Sequence, residues 1–255
     1  MQLKVLGSAA GIGWPARTTS FLIDDDTLLD CGSGVGELTV EELLRIRRVL
    51  LTHSHLDHCN ALPLLADVHA SHCGPGIVVY SQQETIDALK AHLFNGVLWP
   101  DYTVRPSAAQ PWVRCIAMEV GDALPLAGGL ATVLPAQHSI PAIGWLLEGR
   151  ERALAFSGDS GPCTAFWQWI AQVPSLSDVI CEVTYPNEQA QQAADYGHMA
   201  PAWLLPLRQE LPPQVQLWAS HLDSAARDSI LTQLQADDPV ALPIRPLEQG
   251  MVIEL

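Results

Sequence analysis

The alternation of apolar and polar positions along the chain predicts a structure with many short strands. Brief runs rich in valine, isoleucine, leucine and phenylalanine recur between clusters of glycine, proline, aspartate and serine, as in strands that end at turns. The predicted strands cover residues 3–6, 19–23, 27–29, 48–51, 77–80, 113–118, 131–134, 145–148, 153–156, 179–181 and 215–218.

Helical patterns are confined to fewer segments. Thr39 and Glu42 have the spacing of a capping box, which predicts a short helix up to Arg45. Pro201 suits the first turn of a helix, because its missing N–H has no partner there in any case. The longer predicted helices cover residues 84–94, 164–173, 201–210 and 223–235, and RPSAAQP at 105–111 is predicted as a surface loop.

The order of these elements favours one α/β domain. Strands come first, a helix follows, and after more strands the chain alternates between strand and helix. This order predicts two sheets packed together with helices outside. A chain of 255 residues can form one large domain, and the sequence contains neither a repeat nor a linker. We therefore predict a single domain over residues 1–255.

Composition and charge limit the environment and the partners. With 48% hydrophobic and 16% charged residues, the chain can bury a large core. No apolar run reaches the length of a membrane span, and the N-terminus lacks the pattern of a signal peptide, so we expect a cytoplasmic protein with reduced cysteines. The net charge of −15 makes extended RNA or DNA an unfavourable partner, whereas a small anion in a metal-lined pocket remains compatible.

A dense group of metal-ligating side chains follows one of the apolar runs. Residues 53–58, directly after RRVLLT, contain His53, His55, Asp57 and His58. Loops at strand ends allow a rigid sheet to direct several side chains to one point. Imidazole nitrogens and carboxylate oxygens are ligands of zinc and similar first-row ions. This segment therefore predicts a site for one metal ion or for two.

Three later residues have the same local context. His138 follows the predicted strand 131–134, Asp159 lies in the turn SGDS after strand 153–156, and His221 follows strand 215–218. Each alone is a weak signal, since a single histidine after a strand is often a core or surface residue. Together they come at strand ends that one edge of a sheet can collect.

This combination of motifs resembles the metallo-β-lactamase superfamily. The pattern is H-x-H-x-D-H after a strand, a later histidine, an S-G-D turn and a final histidine, and LKVLGSAAGIG, LLDCGSG and the terminal GMVIEL fit it as well. The resemblance implies an αββα sandwich of two mixed β-sheets flanked by helices, with two divalent ions: zinc, or else manganese or iron. It implies that one ion is held by His53, His55 and His138 and the second by Asp57, His58 and His221, with Asp159 bridging both.

Such a pair of ions implies hydrolysis. Two cations about 3.5–4 Å apart can lower the pKa of a bridging water to near neutral, and the hydroxide can attack a phosphodiester or an acyl bond. Asp57 is expected to help position this nucleophile. His198 is the candidate general acid and Glu182 the residue that orients it, a pair that resembles one in the phosphodiesterase branches. The alternative for His198 is a partly exposed position in the first turn of a helix.

Two subfamilies are similar to the chain. HSHLDHCNALPLL and AHLFNGVLWPDYT resemble class II cyclic-nucleotide phosphodiesterases, which convert 3′,5′-cyclic AMP or GMP into the 5′-monophosphate, although Asn60-Ala61 replaces a frequent glycine-containing pair. PARTTSFLIDDDTLLDCGSG and GHMAP resemble the tRNA 3′-processing endonucleases (tRNase Z), but no long basic insertion is present to grip a tRNA. We therefore favour a small phosphodiester as the substrate over a nucleic acid.

Several alternatives remain open from the sequence. An acyl hydrolase such as a lactonase or thioesterase would use the same ligands, and a metal-stabilised binding protein would need no reaction. A homodimer is compatible with the family. Phe94, Trp99 and Tyr102 are candidates to stack on a purine or, alternatively, core aromatics. His69, His72 and His92 are predicted to be structural or surface residues.

Overall fold

Two seven-stranded β-sheets make up most of the structure, a computed structural model that describes residues 1–235 and 243–255. The strands are β1 (Gln2–Gly7), β2 (Ser20–Ile23), β3 (Thr27–Leu29), β4 (Arg48–Leu50), β5 (Ile77–Ser81), β6 (Pro106–Ser107), β7 (Gln110–Pro111), β8 (Val113–Ala117), β9 (Ala123–Leu126), β10 (Gly129–Pro135), β11 (Ile143–Glu148), β12 (Ala153–Phe156), β13 (Leu176–Glu182), β14 (Gln216–Ser220), β15 (Arg245–Pro246) and β16 (Val252–Glu254).

The helices lie between these strands in the sequence. They are α1 (Val40–Leu43), α2 (Leu56–Cys59), α3 (Leu62–Ser71), α4 (Gln83–Ala88), α5 (Thr164–Ile170), α6 (Ala190–Tyr196), α7 (Pro201–Arg208) and α8 (Arg227–Leu234). Short 3₁₀-helices cover Ser33–Glu37 and Asn187–Gln189, and a π-helical turn covers Leu89–Leu93. Among the described residues, none of these helices has the length and apolar character that a membrane span requires.

Both sheets are mixed and share one plan. The strand order of the first sheet is β16-β1-β2-β3-β4-β5-β8, and its second half, from β3 to β8, is parallel. The order of the second sheet is β15-β14-β13-β12-β11-β10-β9, and its half from β12 to β15 is parallel. The remaining pairs in both sheets are antiparallel. Parallel strands end together, and ligand sites of such sheets lie beyond those carboxyl ends.

Three apolar layers hold the sheets and helices together. Between the sheets, side chains of both interdigitate, as in the edge-to-face contact of Phe21 with Phe156, whose ring centroids are 5.1 Å apart. A second layer packs α3 against the outer face of the first sheet, and a third packs α5, α7 and α8 against the second sheet. The predicted αββα sandwich of two mixed sheets flanked by helices is therefore confirmed.

The structure also corrects some element boundaries. The predicted surface loop 105–111 forms the two-stranded hairpin of β6 and β7, although it is largely exposed. The predicted helix 84–94 divides into α4 and the π-helical turn. The helix predicted from residue 223 begins at Arg227, because the carboxylate of Asp223 accepts the N–H of Ala225 at 2.9 Å and holds a turn there.

Candidate metal centre

Polar side chains follow the parallel strands of both sheets where those strands end. In the first sheet Asp30 comes directly after β3, and Thr52 and His53 come just after β4. In the second sheet Asp159 follows β12, Glu182 ends β13 and His221 follows β14. Because the two sheets face each other, both sets of strand ends border one site.

The seven residues predicted as metal ligands meet at this edge. Their ligand atoms form two groups, in each of which all atoms lie within 4.8 Å of one another, and the groups share one residue. One group is His53, His55, His138 and Asp159, and the other is Asp57, His58, Asp159 and His221.

Asp159 lies at the junction of the two groups. Its Oδ1 is 3.2 Å from His58 Nε2, and its Oδ2 is 3.5 Å from His221 Nε2 and 3.8 Å from His53 Nε2. The preceding Gly158 allows this approach, since it has a φ of +59° and a Cβ there would meet Thr52 Cγ2 at 2.9 Å. The S-G-D turn thus brings a buried carboxylate between histidines of both sheets.

Four of the five histidines in these groups, all except His55, are fixed at Nδ1. Nδ1 of His53 lies 2.9 Å from Thr52 Oγ1, and Nδ1 of His58 lies 2.7 Å from Asp30 Oδ2. Nδ1 of His138 lies 2.9 Å from Gly197 O, and Nδ1 of His221 lies 3.0 Å from Thr184 Oγ1. When each Nδ1 donates its proton to the oxygen beside it, Nε2 is left with a lone pair.

These lone pairs fit a divalent cation. The Nε2 atoms of His53 and His58 are buried and make no well-formed hydrogen bond among the described residues, although that of His58 faces the carboxylate of Asp159. The Nε2 of His138 lies 3.1 Å from Nδ1 of His55, so two ring nitrogens face each other. Buried polar atoms normally have partners, and a cation shared by nitrogen and carboxylate ligands supplies one here.

The electrostatic environment differs between the two groups. Burial disfavours a charge on His53 and, with the neighbouring His58, holds its pKa well below the ordinary value, so the imidazole is neutral and ready to bind a metal. Burial also opposes a charge on His58, but Asp159 and Asp30 outweigh it and raise its pKa well above the ordinary value. Binding of a cation by His58 therefore releases a proton.

A hydrogen-bonded network around Glu182 borders the same site. The buried carboxylate accepts His198 Nδ1–H at 2.9 Å and, through its other oxygen, the Thr184 hydroxyl at 2.9 Å. Burial disfavours a charge on His198, but the charge of Glu182 and this hydrogen bond outweigh it, so the pKa of His198 is raised. The predicted pairing of Glu182 with His198 is present in the structure, and His198 precedes α7 rather than lying in its first turn.

A cavity of about 330 Å³, here called the metal-site cavity, gives access to these residues. Among the described residues, its lining is polar and acidic and contains neither lysine nor arginine. The residues are Ala10, Gly11, His55, Asp57, Asp159, Thr184, Tyr185, His198, His221, Asp223 and Ser224.

Sequence reasoning missed several of the supporting residues. Asp30 contacts Nδ1 of His58, Thr52 contacts Nδ1 of His53, and Thr184 contacts Nδ1 of His221. None of these three residues belongs to the H-x-H-x-D-H pattern. Asp30 carried one usable signal, an acidic residue directly after an apolar strand. Thr184 carried none, because its role depends on contact with residues from other segments.

The aromatic candidates lie elsewhere. Phe94 is buried in the layer between the first sheet and its helices, and Trp99 and Tyr102 pack against that layer. The Tyr102 hydroxyl donates to Asp67 at 2.6 Å. None of the three lines the metal-site cavity, so the alternative of core aromatics is confirmed. His69 is buried outside the site, and His72 and His92 are exposed.

The fold and the two groups of candidate ligands are those of the metallo-β-lactamase type. Residues 27–221 match the protein family described as the beta-lactamase superfamily domain. The chain belongs to this family, as the sequence motifs predicted.

Named relatives carry two related descriptions. A Yersinia pestis protein described as a probable 3′,5′-cyclic-nucleotide phosphodiesterase is 26% identical over 236 residues, which cover 80% of this chain and 67% of the relative. A ribonuclease Z of a Synechococcus strain is 29% identical over 179 residues, which cover 62% of this chain and 52% of the relative. The chain thus spans between half and two thirds of the length of these proteins.

Solved structures share the fold. Unliganded yeast PDE1 superposes with a TM-score of 0.82 at 16% identity, over 100% of this chain and 99% of that chain. At this identity the likeness is one of architecture alone.

Proposed function

We propose that the chain is a dinuclear metal phosphodiesterase that converts a 3′,5′-cyclic nucleotide, AMP or GMP, into the 5′-monophosphate. The observation that carries the proposal is the Glu182–His198 pair in the same cavity as two ligand groups that share Asp159. The description of the Yersinia pestis relative supports the same substrate class.

Each ligand group has a part in this proposal. His53, His55 and His138 would hold one ion, Asp57, His58 and His221 the other, and Asp159 would contact both. Zinc fits these ligands, as manganese and iron do. When bound, two divalent ions supply positive charge for the phosphate oxygens and an activated water at neutral pH.

The protein's own acid is His198. Its Nδ1 is held by Glu182, so its Nε2 side remains available to the metal-site cavity. Cleavage of a cyclic phosphodiester leaves an alkoxide oxygen on the ribose, which needs a proton to become the 3′-hydroxyl. His198 donates that proton, and Glu182 stabilises the charged imidazole and fixes its orientation.

Ribonuclease Z activity is the second candidate, because the Synechococcus relative carries that description. The net charge of −15 and the absence of lysine and arginine from the metal-site cavity oppose a long RNA, whose binding depends on neutralised phosphates. Binding of a tRNA precursor at moderate salt distinguishes the two candidates.

The first test combines metal content and turnover on one sample. Mass spectrometry of purified protein should find about two metal ions per chain, and the same sample should form 5′-AMP from cyclic AMP and cleave bis(p-nitrophenyl) phosphate. Metal-loaded protein that cleaves neither substrate contradicts the proposal.

The role of His198 gives a sharper prediction. His198→Ala should lower turnover of cyclic AMP by about 10²–10⁴-fold, the range for loss of a general acid. Bis(p-nitrophenyl) phosphate should be largely spared, because p-nitrophenolate leaves without a proton. Exposed His92→Ala serves as the control. Equal losses on both substrates would show that His198 supports the site rather than protonating the leaving group. If the protein is instead an acyl hydrolase, His198→Ala should still hydrolyse lactones.

A further inference from the structure

A second and larger cavity lies beside the metal-site cavity. Its volume is about 770 Å³, and we call it the adjoining cavity. The two share Ser224, an exposed residue at their common rim. Both are bordered by the same two segments, residues 8–11 and 221–224.

Backbone hydrogen bonds join these two segments. His221 N–H donates to Ser8 O at 2.7 Å, and Ala10 N–H contacts Leu222 O at 3.4 Å. Along this short ladder His221 and Asp223 line the metal-site cavity, while Leu222 lines the adjoining one. A phosphate beside His221 therefore has the adjoining cavity within a short distance across Ser224.

The adjoining cavity has the lining of a site for a flat, partly apolar group. Its walls include Pro15, Ala16, Leu222 and Leu247. Arg227 is its available cation, since the ion pair with Glu248 spans 3.8 Å and is longer than a hydrogen bond.

The second cation is already engaged. Arg17 also lines the adjoining cavity, but its Nε lies 2.7 Å from Glu37 Oε1 and its Nη1 donates to Ala16 O. Arg227 is thus the guanidinium that can donate to a ligand.

An exposed aromatic residue stands on the loop that borders both cavities. Trp14 is 88% exposed. In the sequence it lies between Gly11, which lines the metal-site cavity, and Pro15, which lines the adjoining cavity, and it is itself outside both linings. The loop is closed at its base by Ala16 N–H to Gly13 O at 2.6 Å. An indole exposed to this degree gains little from the fold and is free to stack on a ligand.

We propose that the adjoining cavity is a nucleobase subsite, with Trp14 stacking on the base and Arg227 donating to its edge. The proposal rests on the proposed function, because the phosphate must lie at the metal-site cavity. Base edges offer nitrogen and oxygen acceptors that match an arginine fork, and aromatic side chains stack on any base. Continuity with the metal-site cavity and the charge of Arg227 favour this occupant.

The test compares a substrate that has a base with one that lacks it. Trp14→Ala and Arg227→Ala should each raise KM for cyclic AMP about tenfold, in the range for a lost stack or base contact. They should leave kcat/KM for bis(p-nitrophenyl) phosphate unchanged. The matched controls are Trp169→Ala and Arg114→Ala, two exposed residues that line other surfaces. An unchanged KM for cyclic AMP in either test variant overturns the proposal.

A binding measurement separates this proposal from the proposed function. In saturation-transfer NMR with adenosine, the base protons should receive clearly less saturation from Trp14→Ala than from the wild-type protein and from both controls. If neither substrate is cleaved and this Trp14-dependent signal persists, the proposed function fails and the base subsite stands. Wild-type protein that transfers no saturation to adenosine overturns the subsite.

Discussion

The histidines around the metal-site cavity depend on particular neighbours for their orientation. Asp30 shows this most clearly, since it is fully buried and accepts His58 Nδ1–H at 2.7 Å and Thr52 N–H at 2.8 Å. Burial raises the pKa of Asp30, although His58 and Thr52 act in the opposite direction. A carboxylate in this position fixes the ring of His58 and increases its basicity toward a metal.

The first prediction at this scale concerns Asp30→Asn. The amide removes the negative charge beside His58. The affinity of the group that contains Asp57, His58, Asp159 and His221 for a metal ion should therefore fall about 10–100-fold. Zinc titration against a competing chelating dye measures this loss. Asp25→Asn, at an exposed position on the nearby turn, is the control. Unchanged zinc affinity in Asp30→Asn would show that Asp30 only stabilises the fold.

The second prediction concerns Asp57. Its Oδ2 lies 3.0 Å from His221 Nε2, and its side chain is 29% exposed at the cavity. One oxygen can thus bind metal while the other contacts the attacking water. Asp57→Ala should lower phosphodiester turnover by about 10² or more while retaining most of the bound metal. Parallel loss of metal and activity would remove the separate role.

At the scale of elements, α1 shows how a four-residue helix is maintained. Thr39 Oγ1 accepts Glu42 N–H at 3.2 Å, and Glu42 Oε2 accepts Thr39 N–H at 2.8 Å, so the predicted capping box is confirmed. These bonds from the backbone and side chain of Thr39 lower the pKa of Glu42. A group with a lowered folded-state pKa contributes stability above its ordinary pKa and loses it as the pH falls.

The corresponding prediction is a pH-dependent effect of Glu42→Gln. The amide keeps the bond to Thr39 N–H but not the charge, so the variant should be less stable by about 0.5 kcal/mol at pH 7. Because Glu42 stays charged until the pH falls below its ordinary range and through its lowered pKa, the difference from wild type should disappear in acid below that pKa. Urea unfolding at both pH values measures it, with Glu41→Gln as the control on the same helix. A difference that persists in acid would contradict the electrostatic origin.

At the scale of the whole molecule, the candidate ligands come from both halves of the sandwich. His53, His55, Asp57 and His58 follow a strand of the first sheet, and the other three follow strands of the second. An ion bound by both sets joins the sheets at one edge. A ligand that binds only the folded state stabilises it by mass action.

We therefore expect metal removal to lower thermal stability. At a free metal concentration of about 1,000 times Kd, the stabilisation is about 4 kcal/mol, or roughly 10 °C in Tm for a chain of this size. Circular dichroism melts with chelator and after zinc is restored measure the change. Asp159→Ala should lose most of the stabilisation by metal, because Asp159 belongs to both groups of candidate ligands, whereas His92→Ala should retain this stabilisation. Equal melting temperatures with and without metal would contradict the proposal that bound metal joins the two sheets.

The sequence by itself determined what local patterns encode. All eleven strands predicted from periodicity are present in the structure, because alternation of apolar and polar residues and branched side chains act through near neighbours. The candidate ligands His53, His55, Asp57 and His58 lie within six residues and could be predicted for the same reason, and the family motif supplied the candidates His138, Asp159 and His221. The single domain over residues 1–255, the oligomeric state and the identity of the metal stay predictions.

Only the tertiary structure decided which distant residues meet. Asp30 holds His58 across 28 positions of sequence, and Thr184 reaches His221 across 37. Phe94 was a candidate pocket residue from sequence but lies in the core, and Trp14 is exposed on the loop whose residues Gly11 and Pro15 line two cavities. Such contacts follow from how the two sheets face each other and where their parallel strands end, and no local pattern encodes that arrangement.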